Sequence, residues 1–421
     1  MKMLKTSLIL VAAAAIVFGL SGLSFAFHSG GVAECTGCHE MHGANSVPLL
    51  KGSDVSSTCL ECHAEKGQSS YHIATNNADI NQADHTGAWP YNLTPGGDFA
   101  WLKKTIYWTL RNSPNTNEGD SHGHNIVATD FGYTADKTNT LAPGGTFNGA
   151  NLHCDSCHDQ HGQVRWAGPN MTASRDSGPI IGSGSYNTSK VPAAGETVGT
   201  YRLLRSQLAD NAHAQGNPDF SSMTSPVVAI APGTYNRSEG LFQTRVAYGN
   251  YMSDFCGSCH PDMHSTAGIL RHPQGVVASG TVQNNYNTYV KSGTFNGTVA
   301  SAYLSLVPFE EGLAMSTANY ATLKSHAKID DTQLGGMGGT AQVMCLSCHR
   351  AHATAFPEMT RWSNEGEFIV YQSLYPGVDN SGTSYSVGYT AAEYKQGMYQ
   401  KPEAAFASYQ RSLCNKCHAK D

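Results

Sequence analysis

Apolar positions in this chain rarely recur at a helical or strand period over any distance. The one long hydrophobic run is Leu8 to Leu20, which follows Lys2 and Lys5 and precedes Ser24-Phe25-Ala26. A basic start, a short apolar stretch and small residues before Phe27 together read as a secretory leader, so residues 1–26 are expected to be removed and 27–421 exported. An uncleaved membrane anchor is the competing reading, but the run covers about 13 residues where a span needs about 20. No later segment has the pattern of a transmembrane helix.

Beyond the leader, periodicity predicts only short elements. Phe99 to Arg111 reads as a short helix or strand around Trp101, Tyr107 and Trp108. Residues 199–214 and 303–315 look partly helical, and 391–399 and 404–414 are the strongest helix candidates. The stretches 164–198, 273–300 and 370–390, rich in Gly, Ser, Thr and Asn, predict loops. Pro95-Gly96-Gly97-Asp98-Phe99 is echoed by Pro143-Gly144-Gly145-Thr146-Phe147, and both read as turns entering a bulky residue. No fixed period supports a solenoid, and no linker divides the chain, so one unit is expected over 27–421.

Such a sequence is a poor builder of a large conventional core. It has 44 Gly and 40% hydrophobic residues in 421 positions. The cysteines supply what the apolar pattern lacks. All 12 fall in Cys35-Thr-Gly-Cys38-His39, Cys59-Leu-Glu-Cys62-His63, Cys154-Asp-Ser-Cys157-His158, Cys256-Gly-Ser-Cys259-His260, Cys345-Leu-Ser-Cys348-His349 and Cys414-Asn-Lys-Cys417-His418. In each, two thiols at this spacing can form thioethers to the vinyl groups of one haem, and the next histidine can reach its iron from the same side. A disulfide framework gives no reason for a histidine after every second cysteine, and zinc would pair motifs two by two. The expectation is six covalent haem c groups in a multihaem c-type cytochrome, mostly loops with short helices wrapped around a continuous haem chain. Folding is then coupled to cofactor attachment.

The net charge of −6 becomes more negative by two when Lys2 and Lys5 leave. No basic stripe points to nucleic acid.

An iron with one histidine needs a sixth ligand, and 13 histidines lie outside the motifs: His28, His42, His72, His85, His122, His124, His153, His161, His213, His264, His272, His326 and His352. That number allows every iron a second histidine, giving low-spin centres closed to small ligands and suited to outer-sphere electron transfer. His42, His161 and His352 lie three residues past a motif histidine and suit an adjacent haem better than their own. His264 lies four past and is a weaker candidate. His72, His124, His272 and His326 stand apart from any motif and are candidates for looping across a distal face. Surface or propionate-bonding roles suit His85, His122 and His213 best.

The run Phe27 to Cys35, Thr94 to Phe99, Gly123 to Ala128, Thr244 to Gly249, Pro308 to Gly312 and the ending Cys414 to Asp421 resemble the hexahaem outer-surface cytochrome S family of metal-reducing Geobacter. The resemblance runs from end to end and keeps all six motifs in order. It implies head-to-tail polymerisation into an extracellular filament, with haems alternating between parallel and T-shaped contacts. It further implies that His42 is donated across the subunit boundary to the haem held by Cys345, Cys348 and His349. Upstream periplasmic or outer-membrane cytochromes would supply electrons, and ferric oxides, electrodes or partner cells would accept them at the cell surface. Two rival readings remain: a non-polymeric periplasmic shuttle, and a multihaem reductase, which would need an iron with an open distal site although all six motifs end in histidine.

Overall fold

Helical turns coincide with the cysteine motifs, and the other regular elements among the described residues are short. The computed structural model describes residues 34–46, 48–65, 71–76, 89–110, 112–178, 180–233, 239–240, 243–264, 274–329, 335–380 and 385–420. The leader, His28, His85 and His272 lie outside them. In chain order the α-helices are α1 (Glu34–Cys38), α2 (Val55–His63), α3 (Cys154–Cys157), α4 (Met252–Gly257), α5 (Pro261–His264), α6 (Gly280–Thr288), α7 (Val299–Ala302), α8 (Thr317–His326), α9 (Ala391–Gly397) and α10 (Asn415–His418). The fifth motif opens with a 3-10 turn, Cys345–Ser347.

Three small antiparallel pairs and one three-stranded sheet complete the fold. β1 (Ile106–Leu110) pairs with β2 (Ser113–Asn117), β3 (Val164–Ala167) lies between β4 (Thr172–Arg175) and β5 (Thr197–Gly199), β6 (Val228–Ile230) pairs with β7 (Ala247–Asn250), and β8 (Val370–Tyr371) with β9 (Tyr409–Gln410). Their register is set by pairs such as Trp166 opposite Ala173 and Val198.

Several short-range expectations change in this setting. Phe99 to Arg111 is both things in turn: a 3-10 turn at Phe99–Lys103 capped by Asp98, then β1. The expected loop 164–198 contains β3 and β4 and runs into β5, because Val164, Arg165 and Trp166 are all buried as a central strand. The expected loop 273–300 contains α6, whose Ser279 cap accepts from the Val282 amide and whose Tyr286 is the one buried side chain. One aromatic anchor on a polar helix leaves almost no periodic signal. Residues 303–315 are not helical; α7 and α8 flank them, α8 starting at the Ser316 cap. Residues 199–214 begin at the end of β5 and are helical only in 3-10 turns at Tyr201–Leu203 and Asn211–His213. The helix expected over 404–414 is absent too. Buried Gln410 binds Tyr289 Oη through Nε2 at 2.8 Å and accepts from the Ser292 amide at 3.0 Å, which holds this segment extended as β9.

The expected helix over 391–399 is present as α9. Thr390 and Glu393 form a reciprocal cap at its start, and it stops before Tyr399, whose φ of 56° is left-handed and whose hydroxyl donates to the Thr94 carbonyl at 2.6 Å. Glu393 also faces the buried Lys104 ammonium at 2.9 Å. Glu393→Ala removes both the cap and that carboxylate, so a loss of about 3 kcal/mol is expected in denaturant unfolding of the haem-loaded protein.

Buried apolar residues form four patches rather than one centre. The largest gathers Trp101, Ile106, Tyr286, Phe356, Trp362 and Tyr394, with Cys348 and Cys417 packed against it. A second surrounds Tyr248 and Met252, a third Trp166 and Leu323, and a fourth Leu60, Phe99 and Ile126 with Cys154 at its edge. Tyrosine serves well here because its ring fills space while its hydroxyl finds a carbonyl, as Tyr286 does with Val307 and Tyr375 with Lys401. Among the described residues, no helix is long and apolar enough to cross a membrane.

Candidate functional site

In five motifs the histidine amide bonds to the carbonyl of the first cysteine at 2.8–3.1 Å: His39 to Cys35, His158 to Cys154, His260 to Cys256, His349 to Cys345 and His418 to Cys414. His63 ends α2, which Asp54 caps by accepting from the Ser57 amide at 2.7 Å. One helical turn thus brings the first cysteine and the histidine to the same side.

The rings are then fixed from behind. Nδ1 of His39, His63, His158, His260 and His349 meets the carbonyl of Pro48, Tyr71, Arg202, Pro143 and Glu358 at 2.9, 2.9, 2.8, 2.8 and 2.7 Å. A carbonyl only accepts, so Nδ1 carries the proton and the Nε2 lone pair points away from the backbone. That is the tautomer and aim of a metal ligand.

Two of these rings face a second histidine. His124 and His260 have ring centroids 6.0 Å apart, and His158 and His352 6.4 Å apart. Two metal–nitrogen bonds of about 2 Å and two half-rings of about 1.2 Å add to about 6.4 Å, so each gap fits one iron between two imidazoles. His63 and His72 lie close enough to repel each other's charged forms, and His72 Nε2 is buried without a hydrogen-bond partner. Burial pushes His124 down to about 4 and His352 to about 3, and lowers His63 and His158. All four are held as neutral imidazole, the form that binds metal.

The cysteines run in sequence order through space. Cys59 lies beside Cys154, and Cys256 beside Cys345. Cys38 lies near Cys62, Cys157 near Cys259, and Cys348 near Cys414 and Cys417. Each motif therefore neighbours the next. Contacts between first cysteines at motifs two–three and four–five alternate with contacts that involve the second cysteine of each motif.

The two Pro-Gly-Gly echoes acquire a shared purpose. A Cβ on Gly96 would sit 2.8 Å from His352 Nδ1, and one on Gly145 would sit 1.9 Å from the Cys259 carbonyl. Each turn lies flat against the chain at or just past a motif, and Pro143 itself supplies the carbonyl for His260. Phe99, at the end of the first echo, stacks on His352 at 4.5 Å and 21°. Neither glycines nor Phe99 could be assigned from sequence, because the segments they cradle are more than a hundred residues away.

Other predicted ligands are placed less decisively. His326 Nδ1 meets Glu311 Oε2 at 2.7 Å while Glu311 Oε1 accepts from Arg245, a carboxylate–histidine arrangement that suits a ligand. His161 lines a hollow with Gln163 and Arg205. His264 sits 3.8 Å from Asp254 Oδ1. His42 is exposed on the turn after α1, beside Met41, which is 80% exposed. His122, expected at the surface or on a propionate, is instead buried, bonding the Thr354 carbonyl through Nδ1 with Nε2 unpartnered, whereas His213 is exposed as expected and pairs with Asp210. His124 is further held by the Ala351 carbonyl at 2.7 Å.

Residues 28–68 match the doubled CXXCH motif family. The C-type cytochrome OmcS of Geobacter sulfurreducens is 47% identical over 437 residues, covering 98% of each chain. The chain belongs to the OmcS family. Solved structures of the OmcS nanowires and of an outer membrane cytochrome S filament, both from Geobacter sulfurreducens, superpose with TM-scores of 0.80 and 0.81 at 45% and 46% identity. Each covers 94% of this chain and 100% of the other. The irregular chain with short helices is the multihaem cytochrome fold of those OmcS structures, and multiple covalent c-type haems belong to this protein as to its family.

Proposed function

We propose that this chain carries six covalent haem c groups, each iron held by two histidines, and that its copies join head to tail into an extracellular filament that conducts electrons. The 47% identity over 98% of the chain to a cytochrome of which a relative is solved as a nanowire carries the reading, joined to six motifs that neighbour one another in order. When bound, the haems supply one-electron exchange between ferric and ferrous iron. The chain's residues hold them: the cysteine pairs covalently, and His39, His63, His158, His260, His349 and His418 as proximal ligands. Electrons pass through, and no substrate is transformed.

The distal ligands follow a pattern. His352 lies three residues past the fifth motif and faces His158 of the third, two motifs back. The same step gives His161, past the third motif, to the iron of His39. Continued across a subunit boundary, it gives His42 to the iron of the neighbour's His349. His124 serves the iron of His260 and His72 that of His63, leaving His326 or His272 for His418. A contact in which His42 of one copy enters a different surface of the next is heterologous and open, which produces filaments rather than rings.

Residues 1–26 are the export leader, and 27–421 form one domain at the cell surface or beyond it. Electrons enter from periplasmic or outer-membrane cytochromes and leave to ferric oxides, electrodes or partner cells. Intact mass should report six haems, and a cryo-EM map of filaments sheared from the cells should show a neighbour's His42 at the iron held by Cys345 and Cys348. A histidine of the same chain in that position would instead favour a periplasmic shuttle.

A further inference from the structure

Where the fourth motif meets the fifth, a carboxyl group is buried without a cation. Glu310 is 0% exposed. Its amide donates to the Gln342 carbonyl at 3.0 Å and its carbonyl accepts from the Gln342 amide at 2.8 Å, three residues before Cys345. Its Oε1 accepts from the amide of Met252, the first residue of α4, at 2.6 Å. α4 carries Cys256, and the Cys345 amide in turn donates to the Ser253 hydroxyl at 3.3 Å. Glu310 is thus fixed to both segments whose first cysteines lie beside one another, and its charge is felt at both sulfurs.

The other carboxyl oxygen, Oε2, is buried with no hydrogen-bond partner among the described residues. The groups that face Glu310 do not supply the missing charge. Asp254 on α4 is itself negative, with 39% of its side chain exposed. Tyr248 on β7, whose carbonyl accepts from the Glu311 amide at 2.8 Å, is buried and keeps its proton. Arg245 is already matched by Glu311 at 2.7 Å, and the other oxygen of Glu311 is taken by His326. Cys256 and Cys345 become neutral thioethers once haem is attached. One amide donor does not replace the hydration that a carboxylate loses on burial. Burial therefore pushes Glu310 up to about 8, and Asp254 adds to the rise.

We propose that Glu310 is a proton-accepting site for the haem pair held by the fourth and fifth motifs, taking up a proton when one of these irons is reduced and releasing it on reoxidation. The site rests on the six-haem reading. In the step, the iron passes from ferric to ferrous with an electron from the preceding haem, and the Glu310 carboxylate gains one proton from solvent. The electron and the proton cancel, so the interior gains no net charge, which in a low-dielectric setting lowers the cost of holding the electron there. Ferric iron, with its extra positive charge, favours the carboxylate, and ferrous iron favours the acid. The potential of this pair therefore falls as pH rises through the window in which Glu310 titrates, and is level on either side.

Spectroscopic redox titrations of the haem-loaded filament, run roughly two pH units below and above 8, test the site. Glu310→Gln keeps the shape and the bond to Met252 but cannot ionise. In acid solution its transitions should coincide with those of the wild type. In alkaline solution one or two of the wild-type transitions should move to lower potential, whereas in the variant they should stay near their acid values. Haem propionates titrate as well, so the result is read as the difference between the two proteins. Infrared difference spectra should show a protonated carboxyl band that grows on reduction in the wild type and is missing in Glu310→Gln. Asp254→Asn, which removes the opposing charge, should shift the pH dependence to lower pH without abolishing it. Identical pH dependence in wild type and Glu310→Gln, with six haems by mass in both, overturns the site alone, whereas fewer than six haems in the wild-type protein overturn the underlying reading. If Glu310→Gln does not fold, Asp254→Asn still decides, since an unmoved pH dependence there overturns the site.

Discussion

His42→Ala is expected to yield haem-loaded monomers in place of filaments. His42 sits exposed on the turn after α1, three residues past its own motif histidine, and in the proposed filament it ligates the iron of His349 in the next subunit. A coordinate bond that contributes about 3 kcal/mol to each junction makes every subunit contact more than about 100-fold tighter. Its loss shortens an open linear polymer sharply, because each junction forms independently. The substitution touches no cysteine, so intact mass should still show six haems. Spectra should show five low-spin centres and one high-spin centre, since the iron of His349 loses its sixth ligand when the neighbour is gone. Free imidazole should return that centre to low spin without restoring filaments by negative-stain microscopy. Filaments of normal length with six low-spin haems would sink the assignment.

The parts of this protein that were legible in the sequence are those whose chemistry is local. Cys-x-x-Cys-His fits within one helical turn, so the twelve thiols and six proximal histidines follow from spacing alone, and the turns are where the structure places them. α9 was legible because Thr390 and Glu393 are four residues of continuous chain. The rest depended on partners distant in sequence. Gln410 is extended because Tyr289 and Ser292 hold it, and β3 is a strand because β4 and β5 flank it. The ligand set shows the same division. His352 was a reasonable candidate by its position, but its partner could be named only once His158 lay 6.4 Å away, and the Phe99 ring stacked on it carried no sequence signal at all. The Pro-Gly-Gly echo was visible as a repeat and read as two turns. Its reason, two motif segments that each require a neighbour without a Cβ, is a property of the folded contact.

His352→Met separates conduction from assembly. The ring of His352 faces His158 of its own chain and is packed between Phe99 and Gly96, whereas His42 is exposed at the surface. A methionine is flexible enough to occupy this space and keeps the iron six-coordinate, so filaments should form with normal length. Thioether ligation favours ferrous iron, so one of six centres should titrate at a more positive potential and carry a His/Met signature. In the proposed haem chain, where each motif neighbours the next, an electron has no route around that centre. A one-electron site lower in energy by about 120 mV is a trap from which onward transfer is slowed by up to about 100-fold, taking about 59 mV per factor of ten. Single-filament conductance should therefore fall by at least about tenfold while filament length is unchanged. The His42 and His352 variants then fail in opposite ways, one losing the polymer with its haems intact and the other losing the current with its polymer intact. Unchanged conductance despite a shifted potential would mean that electrons do not pass through the six centres in series.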